Sequence, residues 1–128
     1  MNKILENLRY AKTHEWMEIV NDTTVRIGIS DFAQQALGDL VFINLPEEGD
    51  AITAGQALGD LESVKAVSDI MSPVTGTVTA VNQVVIDQPE LINENPYENW
   101  FVEVNDITAE AALMTAAEYE EFCTKEVH

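Results

Sequence analysis

Cationic side chains are what this chain has least of. Its 128 residues hold 6 Lys and Arg against 23 Asp and Glu, a formal net charge of −17. Between Arg26 and Lys125 the only cation is Lys65. So acidic a surface repels phosphate backbones and anionic headgroups, which argues against nucleic acid and membranes as partners. It favours proteins with basic docking faces, or it serves solubility alone. A single cysteine, Cys123, excludes an internal disulfide and gives no sign of an oxidising compartment. Glu120, Glu121 and Glu126 surround it in sequence and disfavour a thiolate there. With only His14 and His128, no pair of histidines stands at zinc-binding spacing, and neither common glycine-rich phosphate loop occurs. No apolar run reaches membrane-spanning length, and residues 1–12 carry neither a signal-peptide core nor an Arg-rich transit pattern, so a cytoplasmic protein is expected.

What is present is enough apolar residue, 46 %, for one folded domain over residues 1–128. Residues 16–20 and 24–29 read as β-strands joined at Asn21-Asp22. Asp31 and Gln34 form a capping-box pattern before a short helix that Gly38 ends. Residues 40–45 read as a buried strand that Pro46 stops. From Gly49 onward, turn residues punctuate short alternating runs, the mark of a small barrel or sandwich. A second helix is expected at residues 90–93, and alternation returns at 100–104. The tail is expected to be helical over about 109–126: a turn or two at 109–114, then a helix with Thr115 and Glu118 as its capping box and Tyr119 and Phe122 on one face. Tyr10, Trp16, Phe32, Phe42 and Trp100 read as core or docking residues.

Conventional catalytic constellations are missing, and Lys65 is the side chain that invites a chemical reading. If residues 56–62 pair with 67–71, it falls near the tip of a hairpin spanning about 56–71. No Asn-Gly or Asp-Gly marks that turn, so the hairpin rests on the signals at Gly55 and Pro73 that bracket it. A tip lysine offers a nucleophilic amine on a long stem that an acylating enzyme can reach, and acylation would remove its charge. On the residues alone, a modified lysine and a solvated surface lysine stand nearly level. Glu15 and Asp69, taken singly, read as ordinary solvated carboxylates.

The segment Leu61-Glu62-Ser63-Val64-Lys65-Ala66, followed by Ser72-Pro73-Val74-Thr75-Gly76-Thr77-Val78, resembles the attachment hairpin of lipoyl carrier proteins. The blocks Tyr10-Ala11-Lys12-Thr13-His14-Glu15-Trp16, Gly28-Ile29-Ser30-Asp31-Phe32-Ala33, Leu37-Gly38-Asp39-Leu40-Val41, Leu91-Ile92-Asn93 and Asn95-Pro96-Tyr97 are similar to the H-protein family of the glycine cleavage system. In order, they cover about residues 5–125. The resemblance implies a mainly β barrel-sandwich hybrid of two small antiparallel sheets with short helices and a C-terminal helix. It implies lipoate on Lys65 as N6-lipoyllysine, attached by a lipoate-attaching enzyme. It further implies a non-catalytic, monomeric shuttle. Such a carrier takes an aminomethyl group from the pyridoxal-phosphate enzyme glycine decarboxylase to a tetrahydrofolate-dependent aminomethyltransferase, and dihydrolipoyl dehydrogenase then reoxidises it. Thr13, Glu15 and Asp69 match positions lining a cleft where the loaded arm rests; a carboxylate there would pair with the cationic amine of the cargo. In one departure, Asn99 precedes Trp100 where many members of the family carry Gly.

Three alternatives stay open beside this reading. Biotin carriers share the hairpin but flank the lysine with Met, whereas Val64 and Ala66 flank it here. A donor role in lipoate relay to other carrier domains fits the same residues. So does an acidic binding module with Lys65 unmodified.

Overall fold

Alternation of apolar and polar residues along short strands forces this chain to bury one side of each strand, and two sheets facing each other do so. A computed structural model describes residues 4–126. Among them the strands are β1 (Arg9–Tyr10), β2 (Glu15–Ile19), β3 (Val25–Ile29), β4 (Leu40–Asn44), β5 (Ala51–Ile52), β6 (Ala57–Ser63), β7 (Val67–Met71), β8 (Val74–Val81) and β9 (Val102–Glu110). The helices are α1 (Asp31–Leu37), α2 (Gln83–Asp87), α3 (Glu90–Glu94) and α4 (Ala116–Glu126). One sheet runs β1-β2-β3-β9-β8-β5 and the other β4-β6-β7, with every pairing antiparallel. This is the mainly β architecture of two antiparallel sheets expected from the sequence.

Ile27, Val74, Val78, Val102 and Val104 of the larger sheet share one buried cluster with Leu40, Ile43, Leu61 and Ile70 of the smaller. Fully burying each such side chain contributes roughly 1.5–3 kcal/mol. A second cluster joins Leu8, Tyr10 and Trp16 to Ala116, Tyr119 and Cys123 of α4. Those three recur at helical spacing, which gives α4 a single buried face. Its start is closed by the expected capping box: Thr115 N–H donates to Glu118 Oε1 (2.9 Å), and Glu118 N–H donates to Thr115 Oγ1 (3.3 Å). Trp16 lies flat over Gly28, its partner across β2 and β3; a Cβ on Gly28 would stand 2.5 Å from the indole.

Several expectations are corrected. Residues 109–114 are not helical: Ala109 and Glu110 complete β9 against Thr75 and Val74, and Met114 bridges to Tyr10, so the helical tail starts at Ala116. Alternation in β9 begins at Val102 and runs further than residue 104. The cap of α1 is Ser30, whose Oγ accepts from Ala33 N–H (3.2 Å); Asp31 instead takes the amides of Gln34 and Gln35. β4 is not a buried strand, because a register shift between Leu40 and Phe42 leaves Val41 and Phe42 about half exposed. Helix α2 was not expected. Its β-branched run reads as strand, but the Asn82 side chain accepts from Val84 N–H (3.3 Å) and starts a helix there.

Sheet geometry around the hairpin depends on Gly59. A Cβ at that position would lie 2.1 Å from the backbone oxygen of Asn44 on β4. Gly49, by contrast, has a left-handed φ of 92° with nothing within 4 Å of a built Cβ. Gly59→Ala is therefore expected to destabilise by about 3 kcal/mol, as forced overpacking does, and Gly49→Ala by about 1 kcal/mol, the cost of the backbone conformation alone. Urea unfolding of both variants checks this; a larger loss at Gly49 would contradict it.

Candidate functional site

Lys65 stands at the exposed tip between β6 and β7. The turn is closed by Ser63, whose N–H donates to Ala66 C=O (2.8 Å) and whose Oγ accepts from the N–H groups of Lys65 and Ala66 (both 3.1 Å). This serine turn replaces the Asn-Gly that the sequence lacks. From the side, Val64 N–H donates to Asp39 C=O (3.0 Å). The loop carrying Asp39 is itself held by Asn93, whose amide donates to Gly38 C=O (2.9 Å) and whose Oδ1 accepts from Leu40 N–H (2.9 Å). Gly38 has φ 81° and ψ −158°, a conformation open essentially to glycine only. Its missing side chain leaves room for the lysine stem, since a Cβ there would meet Lys65 Cε at 3.0 Å. Among the described residues no carboxylate pairs with the Lys65 amine; Arg26 and Lys125 take Glu103 and Glu121. Val64 and Val67 beside it are 68 % and 66 % exposed. The tip is thus an anchored turn presenting a free amine between two apolar side chains.

Glu15 is in the opposite situation. It opens β2 and is 2 % exposed, the one buried carboxyl among the described residues. Thr13 Oγ1 donates to its Oε1, and Met71 N–H at the end of β7 donates to its Oε2 (3.1 Å). One carboxyl thereby ties the turn before β2 to the edge of the smaller sheet. Burial away from water pushes its pKa from 4.5 to about 7, against the hydrogen bonds from Thr13, the Met71 N–H and its own backbone that pull it down. His14, between Thr13 and Glu15, has φ 76°, which costs a residue other than glycine roughly 1–2 kcal/mol.

The structure brings Thr13 and Glu15 together. Asp69 is exposed on β7, opposite Asp60 and two residues before Met71, so it shares a side of the strand with Met71 without joining the buried pair. A groove of about 190 Å³ adjoins the pair, with Thr13, Met71, Gly55 and Ala111 in its walls; neither Glu15 nor Asp69 lines it. The Met71 N–H was not foreseen, because a backbone donor leaves no trace in residue identity. Asn99, the departure noted before Trp100, ties its loop to α3 by donating to the carbonyls of Leu91 (3.0 Å) and Asn95 (2.8 Å).

A family model described as Glycine cleavage H-protein matches residues 8–126. The chain belongs to the glycine cleavage H-protein family. A glycine cleavage system H protein of Lachnoclostridium phytofermentans is 52 % identical over 125 residues, covering 98 % of both chains. A probable glycine cleavage system H protein of Thermococcus kodakarensis is 46 % identical, over 94 % of this chain and 92 % of its own. The crystal structure of a glycine cleavage system H protein from Mycobacterium marinum superposes with a TM-score of 0.91 at 39 % identity, covering 94 % of this chain and 99 % of that one. Membership therefore extends over the tip, the buried carboxyl and α4 alike.

Glu15 gives this family member a pH signature. Its folded pKa lies above the unfolded value, so the native state retains a proton that the unfolded chain releases between pH 4.5 and 7. Stability from this group is fullest below pH 4.5 and falls by roughly 3 kcal/mol as pH rises through 7. Glu15→Gln is expected to remove that fall, so that its stability relative to the parent increases from pH 4.5 to 7 and then levels. Urea unfolding at a series of pH values measures the difference; a constant offset across the series would contradict it.

Proposed function

We propose that this protein carries lipoate in amide linkage on Lys65 and serves as the non-catalytic shuttle of the glycine cleavage system. The observation that carries the reading is the Lys65 amine, exposed at a hydrogen-bonded hairpin tip and without a carboxylate partner among the described residues. The residues fit the group: an amide bond needs a reachable primary amine, and Val64 and Val67 supply apolar surface for an aliphatic arm. When bound, lipoate supplies a redox-active disulfide that takes up the aminomethyl unit left by glycine decarboxylation and surrenders it to tetrahydrofolate chemistry.

The chain's own residues do the holding. Ser63 and Asp39 keep the tip stiff, so that enzymes meet the lysine in one orientation. Thr13 and Met71 wall the groove of about 190 Å³ and hold the Glu15 carboxyl just behind it, where a cationic amine entering the groove would find a carboxyl to pair with. Pairing there withholds the cargo from hydrolysis between enzymes. Asp69, exposed on the adjoining strand, adds negative charge on the way in. The partners are glycine decarboxylase, aminomethyltransferase, dihydrolipoyl dehydrogenase and a lipoate-attaching enzyme. The carrier meets them as a monomer in the cytoplasm, with its net charge of −17 steering basic faces toward it.

Intact-mass spectrometry of protein expressed in lipoate-fed cells with a competent ligase tests the anchor. An adduct of lipoyl mass is expected on the parent chain and is expected to vanish in Lys65→Ala. Unmodified parent protein under those conditions would refute the carrier reading and favour the acidic binding module.

A further inference from the structure

His14 occupies a place where hairpin geometry favours glycine. Its N–H donates to Ala11 C=O (2.9 Å), and Ala11 N–H donates to Glu15 C=O (2.9 Å), closing a three-residue loop over residues 12–14. Loops of this length end on a left-handed residue, usually Gly, and His14 takes that role with φ 76°. Contacts from other elements hold it there. Its Nδ1 lies 2.7 Å from Tyr119 Oη on α4, and the ring stacks on Phe32 at 4.6 Å between centroids. The same Tyr119 Oη lies 2.6 Å from Ser30 Oγ, while Ser30 N–H donates to His14 C=O (2.9 Å). Tyr119 is fully buried and stacks on Tyr10 at 4.3 Å, so its hydroxyl is fixed before it meets the histidine.

We propose that Tyr119, acting through His14, is a positioning residue: its hydroxyl clamps the left-handed turn that aims Thr13 and Glu15 at the cargo. Thr13 and Glu15 are the two neighbours of His14, and the Glu15 carboxyl must meet Thr13 Oγ1 and Met71 N–H at once. Rotation at His14 turns one of them away from the other and opens the carboxyl to water. Helix α4, remote from Lys65 in sequence, is in this way part of the cleft. The hydroxyl is buried against His14 and Ser30 and works by fixing the turn. This inference rests on the proposed role of Thr13 and Glu15.

Two variants separate the clamp from mere packing. Tyr119→Phe keeps the ring that stacks on Tyr10 and removes only the hydroxyl. His14→Asn keeps a residue tolerant of the left-handed region and removes the imidazole, so a fold is available should the first variant fail. In lipoylated protein, carbon-detected NMR follows the Glu15 carboxyl titration, and the lifetime of the aminomethyl-loaded form is timed in the absence of partner enzymes. Each variant is expected to lower the Glu15 midpoint by one pH unit or more and to shorten the lifetime at least threefold. In a Glu15→Gln background neither is expected to shorten it further. A midpoint unmoved in both variants, whatever happens to the unfolding transition, overturns the clamp. A lifetime unchanged by Glu15→Gln alone overturns the underlying role of Glu15 instead, and the midpoint still decides the clamp.

Discussion

One desolvated carboxyl joins the parts of this molecule that its function has to coordinate. Glu15 accepts from Thr13 on the turn before β2 and from Met71 N–H on the edge of the smaller sheet. A carboxylate removed from water is costly unless hydrogen-bonded, and burial accordingly raises its pKa to about 7. The protein thus keeps, near neutral pH, a group close to its own midpoint at the seam of its two sheets. A cation delivered to that seam would favour the charged form and relieve part of the desolvation. Such a carboxyl is costly to keep charged without a cation beside it, as the proposed cargo-holding role requires.

The tip and the seam divide the labour. Lys65 is exposed, stiffly based and without a carboxylate partner among the described residues, which suits the anchor role proposed for it. Glu15 is buried and held by Thr13 and the Met71 N–H, which suits the cargo-guarding role proposed for it. The acidic composition leaves Lys65 as the only cation between Arg26 and Lys125 and would favour partners with basic faces. Among the described residues no Asp or Glu forms an ion pair with that lysine.

How far the residues alone reveal this differs from place to place. The hairpin around Lys65 was legible from bracketing turns and alternation, and the α4 capping box from Thr115 and Glu118. Its exposed position could be anticipated; its chemistry came only from resemblance to a family. α2 was hidden because Val84-Val85-Ile86 favours strand, and the cap that overrides this preference is one side chain, Asn82. The cap of α1 slipped by one residue because Ser30 and Asp31 are both good caps and only their backbone tells them apart. Exposure of Phe42 followed from a register shift that periodicity does not encode. With 23 acids in the chain, nothing in composition singles out Glu15, and its burial depends on a fold that brings Met71 to it from 56 residues away.

The central claim is that cargo anchored at Lys65 is received at the Thr13–Glu15–Met71 seam. Amide and methyl NMR spectra of the lipoylated protein, recorded with and without the aminomethyl load, test it most directly. The account predicts that loading shifts the Met71 amide and the Thr13 methyl and produces contacts from arm protons to both. Changes confined to residues 63–67 at the hairpin tip, with the seam unmoved, would contradict it.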